Sequence, residues 1–379
     1  MTQITKDIFL IKQKPIKTEI FFGEDLFGEL AKYLTKQKAS KYVIITDSKV
    51  GELYAQRMLQ ELQKKGLQTL LISFPEGEKS KTRKTKEIIE DEMISKKCGR
   101  DTVLIALGGG VVGDVAGFVA GTYMRGIKYA QYPTTTIAQS DSSFGGKTAI
   151  DTPAGKNLIG MFNQPSAVFV DSSTLKTLDE KNYTSGLVEV LKHGLIMDKK
   201  LFEFFNKNIK TILVRNGQNY PKVMNTLMRE NIKVKKTVVM KDEKEQNLRK
   251  ILNYGHTVGH AIEKLSNYSL LHGESIAIGL AVEGFIATKT KILSKKEYKK
   301  QMDSINTLGL TTQIPFDIPT EQIIDKMKVD KKARNSQAEF SLIKSIGKYA
   351  SKKGRVAFSF DEQFLKDAIE EYRAKPTQD

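Results

Sequence analysis

Residues 102–114 read Thr-Val-Leu-Ile-Ala-Leu-Gly-Gly-Gly-Val-Val-Gly-Asp, and no other segment carries as much architectural information. The run TVLIAL (102–107) has the length and composition of a strand buried on both faces. The glycines after it, followed by a helical pattern, place a tight turn between strand and helix. Glycine at such a turn lets backbone N–H groups approach a pyrophosphate closely at the helix N-terminus. The glycines crowd more than G-x-G-x-x-G spacing allows, so the dinucleotide fingerprint is approximated, and a plain tight turn is the competing reading.

The segments on either side repeat the alternation. KYVIIT (41–46) reads as a strand ending at Asp47, and 48–65 as a charged helix. LQTLLISF (67–74) reads as the next strand, closed by Pro75-Glu76-Gly77. Residues 81–97 read as helix, and AVFVD (167–171) as a further strand. Short apolar strands between helices predict a parallel sheet covered on both faces, a Rossmann-like α/β domain. From about 182 to 291 the apolar residues instead recur at helical period. FSLIKSI (340–346) and RVAFSF (355–360) look like a late strand pair, and a last helix ends near Arg373. The expected organisation is a Rossmann-like domain at 1–181 and a mainly α-helical domain at 182–379, with a cleft between them.

The chain has 379 residues, with 61 basic and 44 acidic side chains and a net charge of +17. That length suits two domains with sizeable cores. Cys98 is the one cysteine, which excludes a disulfide framework and a cysteine-only metal cluster. No apolar run approaches the ~18 residues of a membrane span, and the N-terminus lacks a signal-peptide layout, so a cytoplasmic location is expected. The lysines lie in many short runs, with no basic arm, no zinc-finger cysteine pattern and no tryptophan. The surplus therefore argues for a phosphorylated or carboxylated small substrate and solvated surface rather than for nucleic acid.

Candidate functional residues follow from position and composition. Asp47, at a strand end, is placed to accept from a ribose hydroxyl or to cap a helix. The stretch 133–163 is crowded with small, polar and basic residues, among them Thr134, Thr135, Asp141, Lys147, Lys156 and Asn157, and reads as a long loop system for a polyhydroxylated anion. Three of the four histidines fall between 256 and 272. His256 and His260 lie four apart on one helix face, and His272 opens the next helix. With Glu189 on another helix they suit a borderline metal such as Zn²⁺ in an open site, since imidazole and carboxylate are available without thiolate. Helical histidines as packing residues are the alternative.

The motifs PEGEKSKT (75–82), GRDTVLIALGGGVVGDVAGFVAGTYMRG (99–126), PTTTIAQSDSSFGGKTAIDTPAGKNLIG (133–160), EVLKHG (189–194), LRKILNYGHTVGHAIE (248–263) and LHGESIAIG (271–279) together resemble the 3-dehydroquinate synthase family, from about 40 to 350. The resemblance implies a cytoplasmic homodimer that uses NAD⁺ and Zn²⁺ or Co²⁺ and converts 3-deoxy-D-arabino-heptulosonate 7-phosphate to 3-dehydroquinate and phosphate. It implies metal ligands Glu189, His256 and His272, whereas spacing alone would pair His256 with His260. It implies NAD⁺ contacts from Asp47, Glu78, Lys81, Gly109, Gly110, Val111, Asp114, Thr134, Thr135, Lys156 and Thr177. Substrate contacts would come from Arg125, Asp141, Lys147, Lys156, Asn157, Lys192, Lys235, Arg249, Asn253, His260 and Lys331, with Lys332 an alternative to the last. Of these, Lys147, Lys192, Arg249, Asn253 and His260 would be catalytic. Ser140 and Val188 depart from the family pattern without removing a polar group. Another sugar-phosphate cyclase, or a metal-dependent polyol dehydrogenase of the same superfamily, is the rival reading.

Overall fold

The structure, a computed structural model, describes residues 15–328 and 338–375; Lys331 and Lys332 lie outside them. In chain order the first half contains β1 (Glu19–Gly23), α1 (Phe27–Thr35), β2 (Tyr42–Asp47), α2 (Ser48–Val50), α3 (Gln56–Gln63), β3 (Thr69–Phe74), α4 (Arg83–Ser95), β4 (Val103–Gly108), α5 (Gly110–Thr122), β5 (Lys128–Pro133), the pair β6 (Lys147–Thr152) and β7 (Gly155–Phe162), and β8 (Ala167–Asp171). Six strands form one sheet in the order β1-β8-β5-β4-β2-β3, and every pairing is parallel.

Alternate side chains leave opposite faces of a strand, and β2 shows the result. Tyr42 and Ile44 pack beneath Leu30, Leu34, Met58 and Leu62 of α1 and α3. Val43 and Ile45 pack beneath Ile89, Met93, Val112 and Val115 of α4 and α5. Strand order reverses at β2: β3 lies on one side, while β4, β5 and β8 continue on the other. In open α/β sheets the crevice beyond the strand ends at such a reversal is where ligands bind. Here it opens between Asp47, the last residue of β2, and Gly108, the last of β4.

The stretch expected as one long loop, 133–163, contains the antiparallel hairpin β6–β7, paired from Lys147↔Phe162 to Thr152↔Gly155. Its strands are rich in Gly, Lys, Asn and Asp, so they carry little of the β-branched signal that marks a strand in sequence. The edge strand β1 and strand β5, reading EIFFG and KYAQYP, were likewise not singled out by sequence pattern.

The second half is helical: α6 (Glu180–Met197), α7 (Lys199–Val214), α8 (Tyr220–Lys241), α9 (His256–Leu265), α10 (His272–Lys289), α11 (Lys295–Asn306), α12 (Thr320–Lys328) and α13 (Glu362–Arg373). The late strand pair is present as β9 (Phe340–Ser341) against β12 (Ala357–Phe358), antiparallel, with a small pair β10 (Ile343–Ser345) and β11 (Lys348–Tyr349) beside it. Helices α6 and α10 form the centre. Every residue from Tyr183 to Ile196 of α6 is buried, as is every residue from Ser275 to Ala287 of α10. A helix buried all round normally carries apolar residues only, so Glu189, Lys192 and His193 on α6 and Glu283 on α10 are the informative positions.

Candidate active site

A cavity of about 1420 Å³ runs from the sheet reversal to the N-termini of α9 and α10, and both halves of the chain line it. At its sheet end, Gly109 is the N-cap of α5. The glycines serve close approach rather than unusual backbone angles: a Cβ on Gly109 would stand 3.0 Å from Thr135 Cγ2, and one on Gly113 2.6 Å from Gln131 Oε1. Gly109, Gly110 and Val111, at the helix end whose first N–H groups have no intrahelical partner, line the cavity. Thr134 donates its N–H to the Gly108 carbonyl at 3.0 Å, and among the described residues its buried hydroxyl has no partner. Asp47 acts as a cap, accepting from the Val50 N–H at 2.9 Å, and burial pushes its carboxyl pKa up. Thr177 shares a hydrogen bond with the Tyr54 hydroxyl.

Deeper along this wall Lys81, 5% exposed, places its ammonium 2.6 Å from Asp114 and also donates to Asn157. Burial works against its charge, but Asp114 and then Glu78 outweigh it and raise its pKa.

The histidines gather at the other end. His256, His260 and His272 have ring nitrogens within 4.8 Å of one another. Glu189 reaches them from α6 although its own side chain is 1% exposed: Oε1 lies 3.5 Å from His256 Nε2 and 3.4 Å from His272 Nε2. Ligand atoms bound at about 2.0–2.1 Å in a tetrahedron stand roughly 3.3–3.4 Å apart, so this spacing suits a shared ion. Among the described residues Glu189 Oε1 has no hydrogen-bond partner, while Oε2 accepts from Lys192. The far ring nitrogens are oriented as ligands require: His256 Nδ1 lies 3.2 Å from the Tyr254 carbonyl and His272 Nδ1 3.4 Å from Glu263. Burial disfavours charge on His272, yet the Glu189 and Glu263 carboxylates lift its imidazole to about 9. Burial also opposes the Glu189 charge, but Lys192 and His272 hold that carboxyl at about 2. The spot demands positive charge.

Asp141, Glu189 and His193 make a second cluster, but ammonium groups already neutralise it. Lys235 binds Asp141 at 2.7 Å and Lys192 binds Glu189. Burial of Asp141 is outweighed by Lys235 and Lys192, which keep its carboxyl well below the usual range.

Between the two ends lies a basic wall. Lys147 pairs with Glu245, which also accepts from Asn253 at 2.6 Å. Lys156 lies 3.5 Å from Glu78, 3.4 Å from Glu263 and over the Tyr268 ring. Arg249, 2% exposed, donates to the Gly145 carbonyl at 3.2 Å and to the Glu243 carbonyl. The candidates Asp47, Glu78, Lys81, Gly109, Gly110, Val111, Asp114, Thr134, Thr135, Asp141, Lys147, Lys156, Asn157, Thr177, Lys192, Lys235, Arg249, Asn253, His256, His260 and His272 all line the cavity. Glu189 lies just beneath its wall. Arg125 is not among the lining residues: α5 starts at the cavity and carries the chain away for its whole length before Arg125. Glu245 and Glu263, which hold two of the lysines, were not singled out by sequence reading; Glu263 closes the motif 248–263 and Glu245 lies eight residues before Asn253.

A family model described as 3-dehydroquinate synthase N-terminal matches residues 71–185, and one described as 3-dehydroquinate synthase C-terminal matches 186–333. The chain belongs to the 3-dehydroquinate synthase family. It is 40% identical over 344 residues to the 3-dehydroquinate synthase of Thermoanaerobacter pseudethanolicus, covering 90% of this chain and 95% of that relative. With the 3-dehydroquinate synthase of Desulforamulus reducens it shares 42% identity over 330 residues, 86% of this chain and 91% of the relative. Among solved structures, a 2-deoxy-scyllo-inosose synthase complexed with carbaglucose-6-phosphate, NAD⁺ and Co²⁺ superposes with a TM-score of 0.85 at 28% identity, over 93% of this chain and 96% of that one.

Proposed function

We propose that this chain is the 3-dehydroquinate synthase of its source, turning 3-deoxy-D-arabino-heptulosonate 7-phosphate into 3-dehydroquinate and phosphate in the second step of the shikimate pathway. The observation that carries the reading is one cavity in which a glycine turn at a helix N-terminus, a Glu/His cation site and a basic wall face each other. A plain dehydrogenase needs the first two; the third provides for a substrate with both phosphate and carboxylate.

Gly109, Gly110 and Val111 would hold NAD⁺, with further contacts from Asp47, Glu78, Lys81, Asp114, Thr134, Thr135, Lys156 and Thr177. Glu189, His256 and His272 would hold Zn²⁺ or Co²⁺; the Glu189 oxygen facing two imidazole nitrogens supports that assignment. When bound, the dinucleotide accepts and returns a hydride and the ion polarises the neighbouring substrate oxygen. The chain's own part is to bind and orient. Lys147, Lys156, Arg249 and, outside the described residues, Lys331 grip phosphate and carboxylate through charge-assisted hydrogen bonds. Asn253 and His260 contact the reacting hydroxyls, with His260 placed to move a proton. Lys192 and Lys235 keep Glu189 and Asp141 ionised, so neither carboxylate takes up the proton that leaves the substrate. The cleft shields the oxidised sugar from water.

The reading extends to two domains meeting near 181/182, supported by the sheet ending at Asp171 and α6 starting at Glu180. It also extends to a cytoplasmic homodimer with no nucleic-acid or membrane partner. Among the described residues no helix is long and apolar enough to cross a membrane. The test is one incubation of purified protein with the heptulosonate phosphate, substoichiometric NAD⁺ and Zn²⁺. Many phosphates released per NAD⁺, with no steady rise in NADH absorbance, are expected. NADH accumulating one-for-one with substrate consumed, without phosphate release, would decide for a polyol dehydrogenase.

A further inference from the structure

Two of the three metal ligands hang from the first residue of a helix: His256 opens α9 and His272 opens α10. That is an awkward place to hold a cation. The first turn of a helix has unsatisfied N–H groups and a partial positive charge, and it frays most readily. Helix α10 answers this with its own sequence, since Glu274 in its first turn accepts from the Leu271 N–H at 2.7 Å.

Helix α9 has no such means. Its N-cap is Gly255, which has no side chain, and its third residue is Val258. Nor does the packing permit a capping side chain at 255. Gly255 has φ +79°, a Cβ there would stand 2.9 Å from the Leu280 backbone nitrogen, and a Cβ on Gly279 would fall 1.8 Å from the Gly255 carbonyl oxygen. The helices touch backbone to backbone, which is how the three imidazoles come together.

The cap arrives from the other helix. Glu283, 0% exposed on α10, accepts from the Gly255 N–H at 2.8 Å through Oε2 and from the Val258 N–H at 3.0 Å through Oε1. In an ordinary capping box these two N–H groups are satisfied by two different side chains of the helix itself. Here one carboxylate, supplied in trans by the helix that also bears His272, does both.

We propose that Glu283 is a positioning residue of the metal centre: it caps α9 from α10, locks the first turn that presents His256, and offsets the positive helix end beside the ion. The proposal rests on the reading of Glu189, His256 and His272 as metal ligands.

The test uses Co²⁺ as the probe on metal-free full-length protein. Glu283→Gln keeps the shape, removes the charge, and turns one acceptor into an N–H donor facing an N–H. Its Co²⁺ dissociation constant should rise about 10–100-fold, the range seen when partners that orient metal ligands are lost. The visible Co²⁺ absorption should change in shape, a signature that general loss of stability does not move. A folded Glu283→Gln protein with wild-type affinity and spectrum overturns the proposal. Hydrogen exchange on the unaltered metal-free protein keeps the question open to refutation if that variant does not fold. The Gly255 and Val258 amides should be as protected as the centre of α10; exchange at the rate of a fraying end overturns the proposal. If wild-type protein takes up no Co²⁺, the metal site itself fails, and this assignment with it.

Discussion

Lys81→Met is the sharpest probe of the cofactor wall. Methionine keeps the length and apolar stem of the lysine while deleting the ammonium that lies 2.6 Å from Asp114. Lys81 is 5% and Asp114 19% exposed at the side chain, so the carboxylate left behind is poorly hydrated. Breaking a buried pair by removing one partner typically costs ~3–5 kcal/mol. A second limit applies, because Asp114 can escape by taking a proton; for a carboxyl of ordinary pKa this costs about 4 kcal/mol at pH 7. Glu78, at 4.0 Å and 43% exposed, changes this little. Equilibrium urea unfolding at pH 7 should therefore show a loss of about 4 kcal/mol, the protonation limit. In the variant the native state binds a proton at Asp114 that the unfolded chain does not, so stability rises as pH falls, and the loss should shrink by about 1.4 kcal/mol per pH unit toward pH 5. Adding Asp114→Asn should recover most of the stability without recovering NAD⁺ binding. A loss below about 1 kcal/mol at pH 7, or one that Asp114→Asn does not relieve, would refute the reasoning.

Three further outcomes follow from distances already given. Glu189→Gln leaves the Lys192 ammonium beside a neutral amide in a site 2% exposed, and gel-filtered protein should lose its zinc by metal analysis; full retention would contradict the ligand assignment. Lys147→Ala and Lys156→Ala each delete a charge-assisted hydrogen bond worth about 1.5–3 kcal/mol, so kcat/KM should fall roughly 10–150-fold with circular dichroism unchanged, and wild-type kinetics in both would reduce the basic wall to solvated surface. Gly186→Ala puts a Cβ 2.4 Å from the Ile137 backbone nitrogen; overpacking of this kind costs ~1–3 kcal/mol, so a melting temperature equal to wild type would show that α6 is less tightly seated than described.

The strands around the glycine turn were legible because a strand buried on both faces is written as an unbroken apolar run: AVFVD occupies β8 as expected, and TVLIAL is displaced from β4 by one residue. The β6–β7 hairpin was not, because its stabilising contacts are cross-strand and with α5 rather than local in sequence. The histidine cluster was visible as spacing, yet spacing favoured the pair His256 and His260. The structure gathers all three histidines and sets Glu189 Oε1 beside His256 and His272, an arrangement made by how α6 packs against α10, a contact between residues more than 80 apart in sequence. Glu283 was invisible for a related reason. It sits in an apolar run, and its partners are backbone N–H groups, which carry no sequence letter.

On the proposed reading of the basic wall, the pairing of Lys147 with Glu245 and of Lys156 with Glu263 makes anion capture an exchange reaction. Both carboxylates come from the helical half and both ammonium groups from the β6–β7 hairpin, so the lysines are already engaged by internal stand-ins for the substrate's own charges. Part of what a phosphate gains from these lysines is offset by the ion pairs it displaces. Affinity is thereby moderated, and product phosphate has a built-in competitor that helps expel it. The same two pairs bridge the halves of the molecule, so their replacement by substrate couples occupancy to how firmly hairpin and helices are held together.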